Sequence, residues 1–271
     1  MKIFKDRHSL QKEIIKEKGI SFVPTMGGLH SGHLSLIKKS KKYRYKTLVS
    51  IFVNPKQFNK KKDYKSYPRN LKKDINKLKN LKVHYLYIPS YNDIYGFKTL
   101  KQIHIDKISK YLCGKYRKGH FEGVLNVVNR FLEIIKPKKL FLGKKDYQQL
   151  FLIKKHIIKR KINTKIIECN TVREKNGVAC STRNSKLNKK QLKIASNIYH
   201  YLFNIKKKLK SNNNIFISDK IKKALLLMGA DKIEYIEKYD LLTFKKNNNI
   251  KNKFNLFVSY YINETRLIDN F

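Results

Sequence analysis

Short apolar segments alternate with longer amphipathic segments up to about residue 171 of the chain. The apolar segments are rich in β-branched and aromatic residues and lie at 20–23, 47–53, 83–88, 139–142 and 165–169. Apolar runs of this length are typical of parallel strands buried on both faces. Helix-like segments lie between them, near 33–44, 68–80, 121–136 and 146–160. This repeating order of strand and helix predicts a doubly wound α/β domain with a parallel sheet.

The pattern changes after residue 169. A charged turn at 173–177 is followed by a long helical stretch at 189–210, by Asn-rich interruptions at 212–214 and 247–249, and by a late strand at 254–261. We therefore place a domain boundary near residue 171. The chain is expected to comprise a larger domain at 1–171 and a smaller α+β domain at 172–271.

The formal net charge of +44 raises the possibility of nucleic-acid binding, because Lys and Arg gain affinity by neutralising phosphates. The lysines, however, spread along nearly the whole chain and accompany an excess of Asn, Ile and Tyr, whose codons are AT-rich. A drift of genome composition explains this set more simply. The charge should still attract anionic ligands, and it predicts nonspecific, salt-dependent RNA binding.

The composition also bears on location. No stretch of 18 apolar residues is present, and the first residues lack the apolar core and cleavage site of a signal peptide. Three cysteines, Cys113, Cys169 and Cys180, form no disulfide framework, which agrees with a reducing compartment. These features predict a cytoplasmic protein.

The most informative motif follows the first predicted strand and reads Pro24-Thr25-Met26-Gly27-Gly28-Leu29-His30-Ser31-Gly32-His33. It combines a strand end, a glycine turn and a helix start. Two histidines three residues apart share one face of the first helical turn, where unpaired N–H groups and the helix dipole favour phosphate. A zinc site is one alternative, but the chain has no Cys-x-x-Cys and no second His pair. A packed or surface role for both histidines, with the glycines only forming the turn, is the other. The spacing favours nucleotide binding.

Polar clusters follow two other predicted strands. One is Asn54-Pro55-Lys56-Gln57-Phe58, whose amides suit hydroxyls and carboxylates, although they could also satisfy only the turn backbone. The other is Gly143-Lys144-Lys145-Asp146-Tyr147-Gln148-Gln149, in which a lysine at a helix start suits phosphate, with a solvated lysine pair as the alternative. Ligands of such sheets bind beyond the carboxyl ends of the strands, so three loops should converge on one cleft.

A fourth cluster, Cys180-Ser181-Thr182-Arg183-Asn184, lies just after the predicted boundary. A hydroxyl and a guanidinium on a hinge can close over a polyphosphate and neutralise charge as it develops. Ser-x-Arg is common in loops, so this cluster alone is weak evidence for a phosphate site. Its position in the chain after the other three motifs is what supports that interpretation.

Together these motifs resemble the pantothenate synthetase (pantoate–β-alanine ligase) family, within the HxGH nucleotidyltransferase superfamily. The resemblance also includes His120-Phe121-Glu122-Gly123-Val124 and Arg266-Leu267-Ile268-Asp269-Asn270, and it runs in order from residue 20 to residue 270. It implies a Rossmann-like domain with a smaller α+β lid domain, a homodimer, and a ligase that joins pantoate to β-alanine. The implied reaction uses ATP and Mg2+, passes through a pantoyl adenylate, and releases AMP and pyrophosphate.

The resemblance also implies residue roles. His30, His33 and Lys145 would be catalytic, with His33 as a proton donor. Gln57 and Gln149 would bind pantoate, and Gln57 would also contact β-alanine. Asp74 would help to hold Mg2+ through water, since Mg2+ usually keeps several waters and relies on substrate phosphates. ATP would be bound by Met26, Gly27, Gly28, Leu29, His30, Ser31, Gly32, His33, Gly143, Lys144, Lys145, Asp146, Val172, Cys180, Ser181, Thr182 and Arg183.

Three positions depart from the family pattern. Lys144 replaces an acidic residue beside the phosphate site, which would either tighten nucleotide binding or misplace Lys145. Cys180 and Thr182 stand where the family has Met and Ser. Another adenylyl-transferring member of the superfamily would lack the two glutamines in this context. A basic RNA-binding protein would be expected to cluster aromatic residues among the lysines on one surface, whereas Tyr and Phe here lie mostly in strand-like runs.

Overall fold

A six-stranded parallel sheet organises the amino-terminal part of the chain. The computed structural model describes residues 1–59, 61–211, 216–246 and 253–271. These residues fall into two compact units, Met1–Asn170 and Thr171–Phe271. No helix of the described residues is both long and apolar enough to span a membrane.

The sheet of the first unit has the strand order β1-β4-β3-β2-β5-β6. Its paired strands run parallel. They are β1 (Lys2–Phe4), β2 (Ile20–Thr25), β3 (Lys46–Ile51), β4 (Tyr85–Tyr87), β5 (Lys139–Gly143) and β6 (Lys165–Cys169). The prediction of a doubly wound α/β domain is confirmed. The short edge strand β1 was missed because three residues are too few to show a period.

Helices connect these strands. They are α1 (Arg7–Ile14), α2 (Ser31–Ser40), α3 (Lys61–Lys65), α4 (Leu71–Asn80), α5 (Tyr91–Tyr95), α6 (Cys113–Tyr116), α7 (His120–Ile135) and α8 (Tyr147–Lys159). Local sequence sets their ends. The side chain of Asn70 caps α4 by accepting the N–H of Lys73 at 3.0 Å. Helix α7 ends where Lys136 adopts a left-handed conformation ahead of Pro137, which cannot continue a helix.

The core of the first unit forms where β2, β3, β4 and β5 bury their apolar side chains. Strand β2 is buried at five of its six positions, as its unbroken apolar run predicts. Val23, Val49, Leu86 and Phe141 come from these four strands and share one cluster with Ile37 of α2. The strands that end in the polar clusters are therefore held at their centre by close packing.

The second unit is an antiparallel sheet covered by helices. Its strands are β7 (Lys232–Asp240), β8 (Phe254–Ile262) and β9 (Thr265–Asn270), in the order β7-β8-β9, and its helices are α9 (Lys189–Ser211) and α10 (Ser218–Leu227). The predicted helix at 189–210 and late strand at 254–261 correspond to α9 and β8. The Asn-rich interruptions at 212–214 and 247–249 lie outside the described residues.

Candidate active site

The three polar loops follow three strands that are neighbours in the sheet. Strand β2 pairs with β3 on one side and with β5 on the other, both in parallel. The carboxyl ends of these strands therefore open at the same edge. The chain continues from β2 towards β3 and β4 on one side and returns to β5 and β6 on the other. The crevice between β2 and β5 is thus the switch point at which α/β sheets bind their ligands.

The loop after β2 is a tight glycine turn. Gly27 and Gly28 have φ angles of +78° and +61°, a region that residues with a side chain seldom adopt. A Cβ on Gly27 would also lie only 3.1 Å from Oδ2 of Asp74. The N–H of Gly28 and the N–H of Leu29 each donate to the Asp74 carboxylate, both at 2.8 Å. The turn is therefore fastened to helix α4.

The two histidines stand at the start of α2, directly after this turn. His30 is the residue that precedes the helix, and the backbone N–H of His30 donates to Nδ1 of His33 at 3.4 Å. Burial, reinforced by the nearby charges of His30, Lys145 and Lys77, lowers the pKa of His33 to about 3. His33 is therefore neutral at physiological pH. Because its Nδ1 accepts a hydrogen bond, the hydrogen is assigned to Nε2.

A neutral imidazole changes what His33 can do. It can donate the Nε2–H hydrogen bond to a phosphate oxygen, but it holds no extra proton to transfer near pH 7. The proton-donor role that the resemblance implies is therefore best read as hydrogen-bond donation. Lys145 supplies the positive charge beside it.

The loop after β3 is a 3₁₀ turn at Pro55–Gln57. Asn54 is 1% exposed, and its Nδ2 donates to the carbonyl of Gly123 at 3.0 Å and to Oε1 of Gln57 at 3.3 Å. Its Oδ1 accepts from the Tyr95 hydroxyl at 2.8 Å. Asn54 therefore serves the turn structure, whereas the Gln57 amide points Nε2 towards the sulfur of Met26 and joins the first and second loops.

Residues at the start of helix α7 contact the backbone of the Gln57 turn. Nδ1 of His120 donates to the carbonyl oxygen of Gln57 at 2.9 Å, and Arg117 donates to the same oxygen at 3.3 Å. A Cβ on Gly123 would lie 2.2 Å from the carbonyl oxygen of Lys56, so only glycine permits this approach. The sequence placed residues 120–124 within the resemblance without assigning a role to any of them. Their function as a support depends on a contact between residues more than 60 positions apart.

The loop after β5 brings in the third set. Lys145 lies in the 3₁₀ turn Lys144–Asp146, with its Nζ 3.7 Å from the Asp146 carboxylate. The charge of Lys145 also contributes to the lowered pKa of His33, which agrees with the first and third loops opening at the same sheet edge. Gln149 is half-buried in the first turn of α8. The side chain of the neighbouring Gln148 is buried and forms hydrogen bonds with backbone groups.

The remaining predicted ATP contacts belong to the second unit. The N–H of Cys180 donates to the carbonyl of Val172 at 2.9 Å, so these two residues are brought together across a small hairpin. The hydroxyl of Ser181 accepts from the N–H of Arg183 at 3.2 Å and starts the 3₁₀ turn Thr182–Lys186. The Cys180 thiol, 2% exposed, donates to the Glu174 carboxylate at 3.1 Å. Cys180 is therefore part of the hairpin packing.

The predicted magnesium contact depends on the donor atoms that Asp74 can offer. Among the described residues no group of three or more His, Cys, Asp or Glu side chains is arranged to hold a metal ion. Asp74 is 3% exposed, and each of its carboxylate oxygens accepts a backbone N–H. This arrangement does not favour direct ligation of a metal ion, and the predicted contact through water stays a prediction. The structure instead gives Asp74 a different partner, the glycine turn.

The fold and the site together define a class of protein. A parallel α/β sheet that presents a glycine turn, paired histidines and a lysine at its switch point is a nucleotide-binding enzyme of the Rossmann-like kind. Comparison with known proteins narrows the class. The sequence model of the family described as "Pantoate-beta-alanine ligase" matches residues 2–271, so the chain belongs to that family.

Individual relatives agree with this assignment. The pantothenate synthetase of Francisella tularensis subsp. novicida is 44% identical over 268 residues, which cover 98% of this chain and 94% of the relative. The crystal structure of a Francisella tularensis pantoate-beta-alanine ligase, complexed with beta-gamma ATP and beta-alanine, matches with a TM-score of 0.83 and 41% identity, covering 100% of this chain and 97% of the other. Pantothenate synthetase from Thermus thermophilus matches with a TM-score of 0.90 and 27% identity, covering 100% and 99%.

Proposed function

We propose that this chain is an ATP-dependent ligase that condenses (R)-pantoate with β-alanine to give pantothenate, AMP and pyrophosphate. The observation that carries the proposal is that three polar loops follow neighbouring parallel strands at one sheet edge. There the Gln57 amide donates to the sulfur of Met26, and the charge of Lys145 acts on His33. The combination provides hydrogen-bond donors and a cation for phosphates and uncharged amides for a hydroxy acid. Membership of the ligase family supports the same reaction.

In the first step an oxygen of the pantoate carboxylate attacks the α-phosphorus of ATP. A bond forms between that oxygen and phosphorus, and the bond to the bridging oxygen of pyrophosphate breaks, with its electron pair leaving on pyrophosphate. Negative charge therefore grows on the departing group. Lys145, together with the N–H donors of His30 and His33, stabilises this charge and holds the phosphates in line.

In the second step the amine of β-alanine attacks the acyl carbon of the pantoyl adenylate. The carbon–nitrogen bond forms as the carbon–oxygen bond to AMP breaks. AMP leaves with the electron pair, and the amine releases one proton to water. Gln57 and Gln149 hold the carboxylate and hydroxyls of pantoate in the first step and keep the pantoyl group in place for the second. Gln57 also faces the incoming amine. Neutral amides suit this task, because they orient the substrate without competing with the phosphates for charge.

Several further assignments belong to the same proposal. The second unit acts as a lid, with Val172, Cys180, Thr182, Ser181 and Arg183 contributing to the nucleotide site. The protein forms a homodimer and works in the cytoplasm. Mg2+ is carried by the ATP phosphates, which can supply most of its ligands together with water.

The test is pyrophosphate release by the purified protein with ATP and Mg2+, first with D-pantoate and then with β-alanine added. We expect continuous turnover only with both substrates, and its loss in His33→Ala. Lys42→Ala, at an exposed position beyond the end of α2, is the control that should keep full activity. If ATP is bound but not consumed with pantoate present, the proposal is wrong.

A further inference from the structure

Helix α4 binds the glycine turn through both the N–H and the carbonyl group of Leu29. The Asp74 carboxylate accepts the N–H groups of Gly28 and Leu29, each at 2.8 Å. Lys77, one helical turn further along α4, donates from Nζ to the carbonyl oxygen of Leu29. Residues three apart on a helix share a face, so one face of α4 presents both the acceptor and the donor.

These contacts engage both oxygens of the Asp74 carboxylate. It is 3% exposed, and each oxygen already accepts a charge-assisted hydrogen bond from the backbone. The N–H groups of Gly28 and Leu29 are occupied as well, so in this arrangement they do not face a phosphate. The anion that fills this concave pair of N–H groups is a side chain of the protein itself.

The turn needs such a partner. Gly27 and Gly28 both have positive φ angles, and glycine loses more conformational freedom on ordering than any other residue. Without such a partner, two glycines so close before His30 would leave the histidine pair poorly fixed. The hydrogen bonds from the turn to the Asp74 carboxylate offset this loss of freedom. They join residues that are 45 and 46 positions apart in the chain.

We propose that Asp74 and Lys77 are positioning residues that clamp the glycine turn and thereby fix His30 and His33, and that Asp74 is not a magnesium ligand. The predicted effect of this clamp on turnover rests on the proposed function. Its predicted effect on the order of the glycine turn concerns the free protein and does not depend on that function. The prediction that Asp74 holds Mg2+ through water is thereby replaced by a different role for the same residue.

The first experiment measures the turn directly and needs no activity. Amide hydrogen exchange of the peptide spanning residues 20–34 is compared in the wild type, Asp74→Ala, Asp74→Asn and Lys77→Met. We expect the two amides of the turn to exchange at least about tenfold faster in Asp74→Ala, with Asp74→Asn intermediate because one acceptor oxygen remains. Exposed Asp63→Asn and Lys73→Met are matched controls and should leave exchange unchanged. Unchanged protection in Asp74→Ala overturns the clamp.

The second experiment separates positioning from metal binding. Initial rates are measured as a function of Mg2+ at saturating substrates for the wild type and Asp74→Asn. The clamp predicts a kcat lowered by about tenfold or more with the half-saturating Mg2+ concentration unchanged. Lys77→Met, which removes no candidate ligand, should lower kcat in the same way. A raised Mg2+ requirement, with activity restored by excess Mg2+, overturns the proposal in favour of a metal contact.

The two experiments also distinguish the failure of each proposal. If the wild type does not join pantoate to β-alanine, the proposed ligase activity fails, yet hydrogen exchange still decides whether the clamp exists. If the wild type is active and the exchange of the turn is unaffected by Asp74→Ala, the clamp fails and the ligase assignment stands.

Discussion

The imidazole rings of His30 and His33 lie with their centroids 4.0 Å apart and their planes inclined by 36°. Two imidazolium ions at this distance would repel each other strongly, so the pair is stable only when at least one ring is neutral. Burial and the nearby lysines ensure that His33 is the neutral one. The site thus provides the neutral N–H donor of His33 together with the positive charge of Lys145, an arrangement suited to a negatively charged phosphate group.

His33 should not titrate near neutrality. With a folded-state pKa of about 3, its ring should keep one hydrogen from about pH 5 to pH 8 in nitrogen-15 NMR spectra. Lys145→Met should move this pKa upward, because Lys145 is one of the charges that lower it. A His33 midpoint near 6.5, or no upward change in Lys145→Met, would contradict this assignment.

Substitution by alanine should destabilise the protein at Gly123 but not at Gly143. Gly123→Ala drives a methyl group into the backbone of the Gln57 turn, where the nearest atom is 2.2 Å away, so we expect a loss of stability on the order of 2 kcal/mol and of most activity. Gly143→Ala meets nothing within 4 Å and has an ordinary φ of −82°, so its stability should be unchanged. Thermal melting checks both. An increased KM for ATP in stable Gly143→Ala would further support a nucleotide beside this residue.

The adjacent glutamines should separate structure from function. Gln148 is 5% exposed, accepts the N–H of Cys113 at 3.1 Å, and donates to the carbonyls of Ile108 and Tyr111 at 2.9 and 2.8 Å. Gln148→Ala leaves these buried groups unpaired and should cost about 2–3 kcal/mol of stability. Gln149→Ala should melt like the wild type but raise the KM for pantoate by about tenfold or more. Denaturant unfolding and steady-state kinetics test the pair, and equal destabilisation by both variants would refute the distinction.

A buried lysine in the second unit should make stability depend on pH. Lys206 is 7% exposed and stands 3.8 Å from the centroid of the Phe254 ring, and burial, with Lys210 and Lys238 nearby, lowers its pKa to about 7. The unfolded chain binds this proton up to about pH 10.4, so between the two values the unfolded state holds more protons and stability rises with pH. The free-energy cost of burying the charged Lys206 therefore acts in full below about pH 7. It disappears above about pH 10.4, where the unfolded chain has also lost the proton.

Replacing Lys206 tests whether stability rises with pH because of this residue. Lys206→Met should therefore gain more stability relative to the wild type at pH 6 than at pH 9, by on the order of 2 kcal/mol. Lys208→Met, at an exposed position of the same helix, is the control and should show no such difference. Calorimetric melting of the full chain at the two pH values gives the comparison. A gain that is equal at both would show that Lys206 carries no buried charge.

Local sequence was enough for much of the first unit. The apolar runs of β2, β3 and β5 and the polar residues after them are written in consecutive positions, and the carboxyl ends of parallel strands always open at one edge. His30, Gln57 and Lys145 could therefore be assigned to one cleft from their place after each strand. The sequence also indicated the family, because several uncommon motifs occur in a fixed order.

Tertiary structure decided which polar side chains are free to act. Asn54 and Gln57 are equivalent amides in the sequence, as are Gln148 and Gln149, yet Asn54 and Gln148 are used up by hydrogen bonds to distant backbone groups. The family resemblance implied that Asp74 helps to hold Mg2+ through water, whereas in the structure its carboxylate accepts two N–H groups of the glycine turn. Its attachment to the turn depends on a packing of α4 against the end of β2 that no local pattern encodes. A side chain's chemistry is set by its residue type, whereas its availability is set by contacts between segments far apart in the chain.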